Sequence, residues 1–430
     1  MDLIFWLAIF MVFIFVLRGL YNIYKVVNWK LREIKSFNEG HILKKPDTYF
    51  YIIIPALREQ NVIYDTLKWI SNLNYPKKLF EVIVALDKKE EKNLTKEKVK
   101  EYIRENKSGV KVSFVEYHGK GHKRSFQLNT ALKEIFNLFK NKKDVFVGVY
   151  DADSRPEKDT LLYVDFKKSK ENIAFQQTIN YLLNSKKISK FKNNFLLLGN
   201  AYYQTMWNYI AEINQFLKNN SRFEKGKNSL FPPYCMGHGE FFNLDLLKKI
   251  KGFPNNGPAD GIQIGFVLAL KKVKIIPIPL DDSCESPEKL SVLFKQHTFW
   301  FCGNLNFFKI INNEKFGLSK IMQIVNHTFL SGKWLIRPFF YTFLFLYAII
   351  IIDFVALIIL LILPFVYYLI GYYFIKIQLF NSNKNLKLNF FGLEIIFAMY
   401  FKSFGAVNGL FKKVKSGLFG SKLKFSKVER

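Results

Sequence analysis

Val145-Phe146-Val147-Gly148-Val149-Tyr150 is a short apolar run that passes directly into Asp151-Ala152-Asp153. A run of this length, rich in β-branched and aromatic residues and closed by charge, reads as a buried strand. Two carboxylates therefore leave the strand end together. Open α/β sheets bind ligands at the carboxyl ends of their strands, where hard oxygen ligands can hold Mg2+ or Mn2+ against a diphosphate. Taken alone, Asp-x-Asp is equally a turn or a helix cap, so the surrounding chain has to decide.

The same alternation recurs on either side. Tyr49 to Ile54, Glu81 to Leu86 and Val110 to Tyr117 read as strands, with helix-like segments at Asn61 to Leu73, Thr95 to Arg104 and Phe126 to Leu138. The pattern predicts an α/β fold with a mostly parallel sheet and helices on both faces. The first strand carries Pro55, expected to stop it, followed by the charged pair Arg58-Glu59; the second ends in Asp87. No internal repeat is visible, and the Lys-rich pieces near Lys88 to Lys100 and Asn184 to Asn194 read as solvated surface.

In this order, strand-Pro-x-x-x-Glu, strand-Asp and strand-Asp-x-Asp resemble the family 2 glycosyltransferases, which have the GT-A (Rossmann-like) fold; the likeness covers Tyr49 to Asn304. The resemblance implies a nucleotide-diphosphate sugar as donor, a UDP-sugar first among them. Pro55, Glu59, Asp87 and Asp151 would line its site, Asp87 would hydrogen-bond the uracil or an equivalent ring, and Asp151 and Asp153 would hold Mg2+ or Mn2+. Without it, Asp87 is a loop cap. The segment Gly119-Lys-Gly-His-Lys123-Arg124, followed by Gln127-Leu128-Asn129, is similar to the family's basic Gly-rich stretch. Either Lys123 or Arg124 would then neutralise the diphosphate, a one-residue alignment leaving both open.

Gly237-His-Gly239-Glu-Phe-Phe242 and Leu246 to Pro254 look like the family's acceptor-side strand and helix, with Gly239 allowing close backbone approach. Pro258-Ala259-Asp260-Gly261 stands where the family has Glu-Asp at a helix start. Asp260 would be the general base that takes the acceptor proton in an inverting transfer, its alternative role being a helix cap. Ala259 replaces the first carboxylate. Gln296-His297-Thr298-Phe299-Trp300 resembles the Gln-x-x-Arg-Trp motif of the cellulose and hyaluronan synthase-like branch, with Phe299 in place of Arg. Gln296 and Trp300 would shape an acceptor channel and His297 could compensate for the lost cation, whereas an amphipathic interfacial helix explains the same residues.

Half of the residues are hydrophobic and 17% aromatic, more than an ordinary soluble core uses. Leu3 to Val16 is uninterrupted apolar sequence and no cleavage-like small-residue site follows it, so residues 1–27 read as a membrane anchor rather than a signal peptide. Between Arg337 and Lys376 only Asp353 is charged, which predicts a helical hairpin over 335–376 with Asp353 at its turn or buried in a helix. Residues 387–430 mix apolar positions with Glu394 and Lys402 and read as an amphipathic interfacial helix and a basic tail. Residues 47–334 would be the glycosyltransferase domain. The basic flanks put it on the cytoplasmic side of a multi-pass membrane protein.

The formal net charge of +29 attracts phosphate in principle, but the lysines are dispersed and AT-rich codons account equally for the abundance of Lys, Asn, Ile and Phe, so nucleic acid is not an expected partner. Three scattered cysteines form neither a disulfide framework nor a metal-ligand spacing. The expectation is an inverting transfer to a lipid-linked or growing envelope glycan in the bilayer. Its alternatives are a processive polysaccharide synthase, for which one helix and one hairpin are sparse, and a noncatalytic scaffold.

Overall fold

Alternation along Tyr49–Ala56 (β1) sends Phe50, Ile52 and Ile54 into one apolar core and Tyr49, Tyr51 and Ile53 into another. A strand buried on both faces belongs at the centre of a helix-covered sheet. In the computed structural model, Val82, Val84 and Leu86 of Phe80–Asp87 (β2) join the first core against Ile63, Leu67 and Ile70 of the helix Ile63–Ser71. Ile83 and Ala85 join the second against Leu128, Leu132 and Ile135 of the helix Arg124–Leu138. The structure describes residues 2–41, 45–119, 123–138, 144–169, 173–183, 195–229, 232, 235–255, 257–312, 317–382 and 393–419.

The remaining strands are β3 (Lys111–Tyr117), β4 (Val145–Val149), β5 (Arg155–Pro156), β6 (Ile173–Asn180), β7 (Glu240–Asn243) and β8 (Lys274–Ser283), in the order β3-β2-β1-β4-β7-β6-β8-β5. The first four are parallel; β7 runs antiparallel to both β4 and β6, β8 is parallel to β6, and β5 is antiparallel to β8. The sheet is therefore mixed. Reversal of β7 matters for function, because it pairs Glu240 with Val149 and so starts β7 beside the carboxyl end of β4.

Pro55 does not end β1, which continues to Ala56. Ile53 accepts from Tyr150 N on the β4 side, so Pro55, two residues on, faces that side too, past the last β1–β4 pair at Ile53 and Val149. Its missing N–H has no ladder partner to lose there.

Among the described residues, three helices are long and apolar enough to cross a membrane: Leu3–Gly40, Leu318–Ile350 and Phe354–Ile377. The first does not stop at residue 27. With no proline to break it, the helix Asp2–Gly40 runs on until Phe37 enters the first core and Lys30 Nζ lies 3.3 Å from Asp281 Oδ1. Asp353 sits between the other two helices, where its Oδ1 accepts from Ala356 N at 3.0 Å as a cap. Small residues Ala348 and Ala356 let the three helices close around Phe5, Ile9, Leu344 and Leu360.

The helix Leu393–Phe419 is more than a surface helix. Gly405 and Gly409 press it onto the helix Leu290–Asn304: a Cβ at Gly405 would lie 2.6 Å from His297 Cβ, and one at Gly409 3.0 Å from Thr298 O. Lys402, expected on a polar face, is enclosed by the rings of Tyr203, Trp207 and Trp334, its Nζ 4.6–4.9 Å from their centroids. Residues 420–430 of the basic tail lie outside the described residues.

Candidate active site

Where β1, β2 and β4 end, one cation organises the surrounding acids. Arg124 opens the helix Arg124–Leu138, and Gln127 one turn later locks that helix to the sheet by donating to Ala56 O and Ala85 O at 3.0 and 3.1 Å. Thus positioned, Arg124 Nη1 donates to Asp260 Oδ2 at 2.7 Å while Nη2 lies 3.2 Å from Asp151 Oδ1 and also donates to Gly237 O. Burial disfavours the guanidinium charge, but Asp260, Asp151 and Glu240 outweigh it and raise the Arg124 pKa. Its Nε is buried without a hydrogen-bond partner, which leaves donor capacity for an anion.

Asp260 reaches Arg124 through close backbone packing. A Cβ on Gly261 would lie 2.3 Å from Gly237 N, so only glycine lets the helix Asp260–Leu270 abut the Gly237 loop. Ala259, the residue before that helix, adopts φ +56°, a left-handed conformation that costs an alanine about 1 kcal/mol or more. Asp260 therefore lies in the first turn and is not the cap. Ala259 packs beside Gly303, where a glycine Cβ would come within 2.6 Å of its methyl.

Asp153 is buried where Asp151 is half-buried, and its Oδ2 accepts from Glu285 N at 3.0 Å. Asp282 at the end of β8 is fully buried; its Oδ2 meets Ser154 Oγ and His238 Nδ1, both at 2.9 Å, and its Oδ1 has no hydrogen-bond partner. Burial favours the neutral His238 ring, but Asp151, Asp282 and Asp153 outweigh it and raise its pKa. Glu240 faces the same cluster, accepting from Gly237 N; burial, partly offset by Arg124, pushes its carboxyl up to about 7. Sequence reasoning quoted His238 and Glu240 but assigned neither, and passed over Asp282. The Asp281-Asp282 pair closing an apolar run was the available signal.

Of the other expected residues, Asp87 ends β2 and caps its own turn through Lys89 N at 3.1 Å, while the Glu59 backbone is held by Thr95 Oγ1 at 2.8 Å. Lys123 bonds Asn255 O and stacks over Phe126, so Arg124 alone of the two basic residues joins the acids. Lys120, Gly121 and His122 lie outside the described residues. Gly239, at φ +64°, shapes the bend entering β7, where a Cβ would meet Gln177 at 2.8 Å. Trp300 packs with Ala259, Ile262 and Phe266 beside the start of the Asp260 helix, and Gln296 lies one turn before it, half-buried. His297 is elsewhere. It is fully buried, its Nε2 2.8 Å from Asn200 Oδ1, and burial holds its pKa well below the ordinary value, so it is a neutral packing residue and not a substitute cation.

The donors suit a divalent ion shared with a diphosphate. Among the described residues no three His, Cys, Asp or Glu side chains form a ready-made cation site. Mg2+ and similar ions need few protein ligands when substrate phosphates complete the shell. Asp151 and Asp153 supply hard oxygens at the strand end, and the orphaned Asp282 Oδ1 adds buried negative charge beside them. With Nδ1 engaged by Asp282, Nε2 of His238 is the ring atom left for a ligand.

This strand-end arrangement on a mixed sheet is that of a nucleotide-sugar transferase, and residues 46–303 match the sequence profile of "Glycosyltransferase like family 2". The chain belongs to that family. It is 25% identical over 397 residues to the probable glycosyltransferase YdaM of Bacillus subtilis, covering 88% of this chain and 86% of that one. A probable glycosyltransferase of Sulfolobus acidocaldarius is 21% identical over 332 residues, 73% of this chain and 62% of the relative. In fold, the chain is similar to the mannosyltransferase PcManGT of Pyrobaculum calidifontis, solved with GDP-Man and Mn2+, at a TM-score of 0.50 and 16% identity over 93% of this chain and 98% of that one.

Proposed function

We propose that this chain is a membrane-bound, inverting, metal-dependent glycosyltransferase that moves a sugar from a nucleotide diphosphate to a lipid-linked or growing envelope glycan. The observation that carries the reading is Arg124 joining Asp151 of the Asp-x-Asp to Asp260 across the sheet edge, with 2.7 and 3.2 Å contacts. Donor-side and acceptor-side acids converge on one cation.

Asp87, with Pro55 and Glu59 at the neighbouring strand end, binds the base of the donor. Arg124 exchanges a carboxylate for a diphosphate oxygen as the donor enters, since guanidinium pairs with either in the same planar geometry. That exchange frees Asp260 to accept the acceptor hydroxyl proton. Asp151 and Asp153 would hold a divalent ion, which when bound would supply charge stabilisation to the departing diphosphate. Trp300 and Gln296, beside the Asp260 helix, border the acceptor. The three apolar helices among the described residues anchor the domain at a cytoplasmic membrane face, a sparse set for a channel, which favours transfer of one or a few sugars over processive synthesis.

Detergent-solubilised protein should bind and turn over at least one nucleotide sugar with Mg2+ or Mn2+. Asp153→Ala should abolish metal-dependent turnover, and Asp260→Asn should block transfer while sparing donor binding in calorimetry. Unchanged transfer by Asp260→Asn overturns the base assignment, and absence of donor binding by wild type favours a noncatalytic scaffold.

A further inference from the structure

Three cations gather where the apolar helices meet. Lys333 Nζ lies 4.3 Å from the ring centroid of Phe15 on the first helix and 4.3 Å from that of Phe329 on its own. Arg18 is one turn beyond Phe15, and Arg337 one turn beyond Lys333, on the same helix faces. Gly19 meets the third helix so closely that a Cβ would lie 2.5 Å from the Tyr367 ring, which brings that tyrosine into the group. Arg337 and Arg18 oppose the charge on Lys333, and Arg337 lies among Tyr203, Tyr341, Tyr367 and Tyr368 and beside Lys402, whose counter-charge is Glu212; among the described residues no carboxylate acts on Lys333 or Arg337. Arg18 and Arg337 nevertheless remain exposed.

Depth gives this cluster a meaning. At 1.5 Å per helical residue, Arg18 stands roughly 22 Å from Leu3, and Arg337 and Lys333 roughly 20 and 26 Å from Ile350. The hydrocarbon of a bilayer is about 30 Å thick, so with the helix ends at its far edge Lys333 comes within about 4 Å of the catalytic-side headgroups, and Arg18 and Arg337 lie about 8 and 10 Å below them, a gap their long side chains help to span. Simple snorkelling would turn each side chain outward to water. Instead Lys333 is directed at the first helix, and like charges converge there, which is unfavourable unless an anion completes the site.

We propose that Arg18, Lys333 and Arg337 bind the phosphate of a membrane lipid, beside the Tyr367 ring. The proposal rests on the membrane-acceptor reading above and names the acceptor's chemistry, an amphiphile bearing a phosphate at the catalytic face.

The full-length protein in neutral detergent is titrated with farnesyl phosphate, farnesol, dihexanoyl phosphatidic acid and inorganic phosphate, with binding followed by thermophoresis. Farnesyl phosphate should bind about tenfold more tightly than farnesol, the worth of one charge-assisted contact. Arg337→Gln and Lys333→Gln should each remove that preference, and Arg337→Lys should keep most of it. Preference for farnesyl phosphate over phosphatidic acid identifies an isoprenoid lipid, and equal binding of the two identifies bulk phospholipid; either supports a lipid-phosphate site. Equal affinity for farnesyl phosphate and farnesol, or unchanged preference in both Gln variants, overturns it, as does inorganic phosphate binding as tightly as either lipid. Donor binding measured on the same samples reports separately on the transferase reading.

Discussion

Replacing Glu240 by Gln should stabilise this protein, and more so as pH rises. Burial lifts the Glu240 carboxyl from an ordinary 4.5 to about 7, against the pull of Arg124 and the Gly237 N–H. Between those two values the folded chain keeps a proton that the unfolded chain has released, so stability falls as pH rises through the window, and the penalty is complete above about 7. A shift of this size corresponds to about 3 kcal/mol, an upper bound because Gln also forgoes the attraction to Arg124. Glutamine retains the oxygen that accepts from Gly237 N, so the loop need not move. Thermal unfolding of detergent-solubilised wild type and Glu240→Gln at pH 4.5, 6, 7 and 8.5 measures the difference. The variant's advantage should be absent at pH 4.5 and reach several degrees in Tm at pH 8.5. An advantage that is the same at every pH, or a variant less stable than wild type at pH 8.5, refutes the assignment of a strained buried carboxyl.

Arg124→Ala leaves Asp151, Glu240 and Asp260 without their shared cation. It should cost about 3–5 kcal/mol in unfolding experiments and weaken nucleoside diphosphate binding in calorimetry by more than tenfold. Lys123→Ala, one residue away but outside the cluster, should change stability by less than about 0.5 kcal/mol. Gly261→Ala places a methyl against the Gly237 backbone; a loss of about 1–3 kcal/mol in the same unfolding experiment, with reduced turnover as Asp260 shifts from Arg124, is the expected result.

Much of the fold was legible because the signals are local. The unbroken apolar run Tyr49 to Ile54, apolar runs ending in Asp87 and Asp151, and the intervening helices each depend on residues within a few positions of one another. The apolar stretches that become membrane-length helices are legible for the same reason. Pro55 misled because the pairing of a neighbouring strand, not the proline, decides whether its missing N–H matters.

The chain alone thus determined an α/β sheet, the carboxylates at its strand ends and three apolar helices, all consequences of short-range patterning. Only the tertiary structure selected Arg124 over Lys123, brought in His238, Glu240 and Asp282, and withdrew His297 into packing against Asn200 and Gly405. The reason is physical: charge pairing and desolvation depend on distances between segments more than a hundred residues apart, as in Arg124 to Asp260, and nothing in the local sequence encodes those distances.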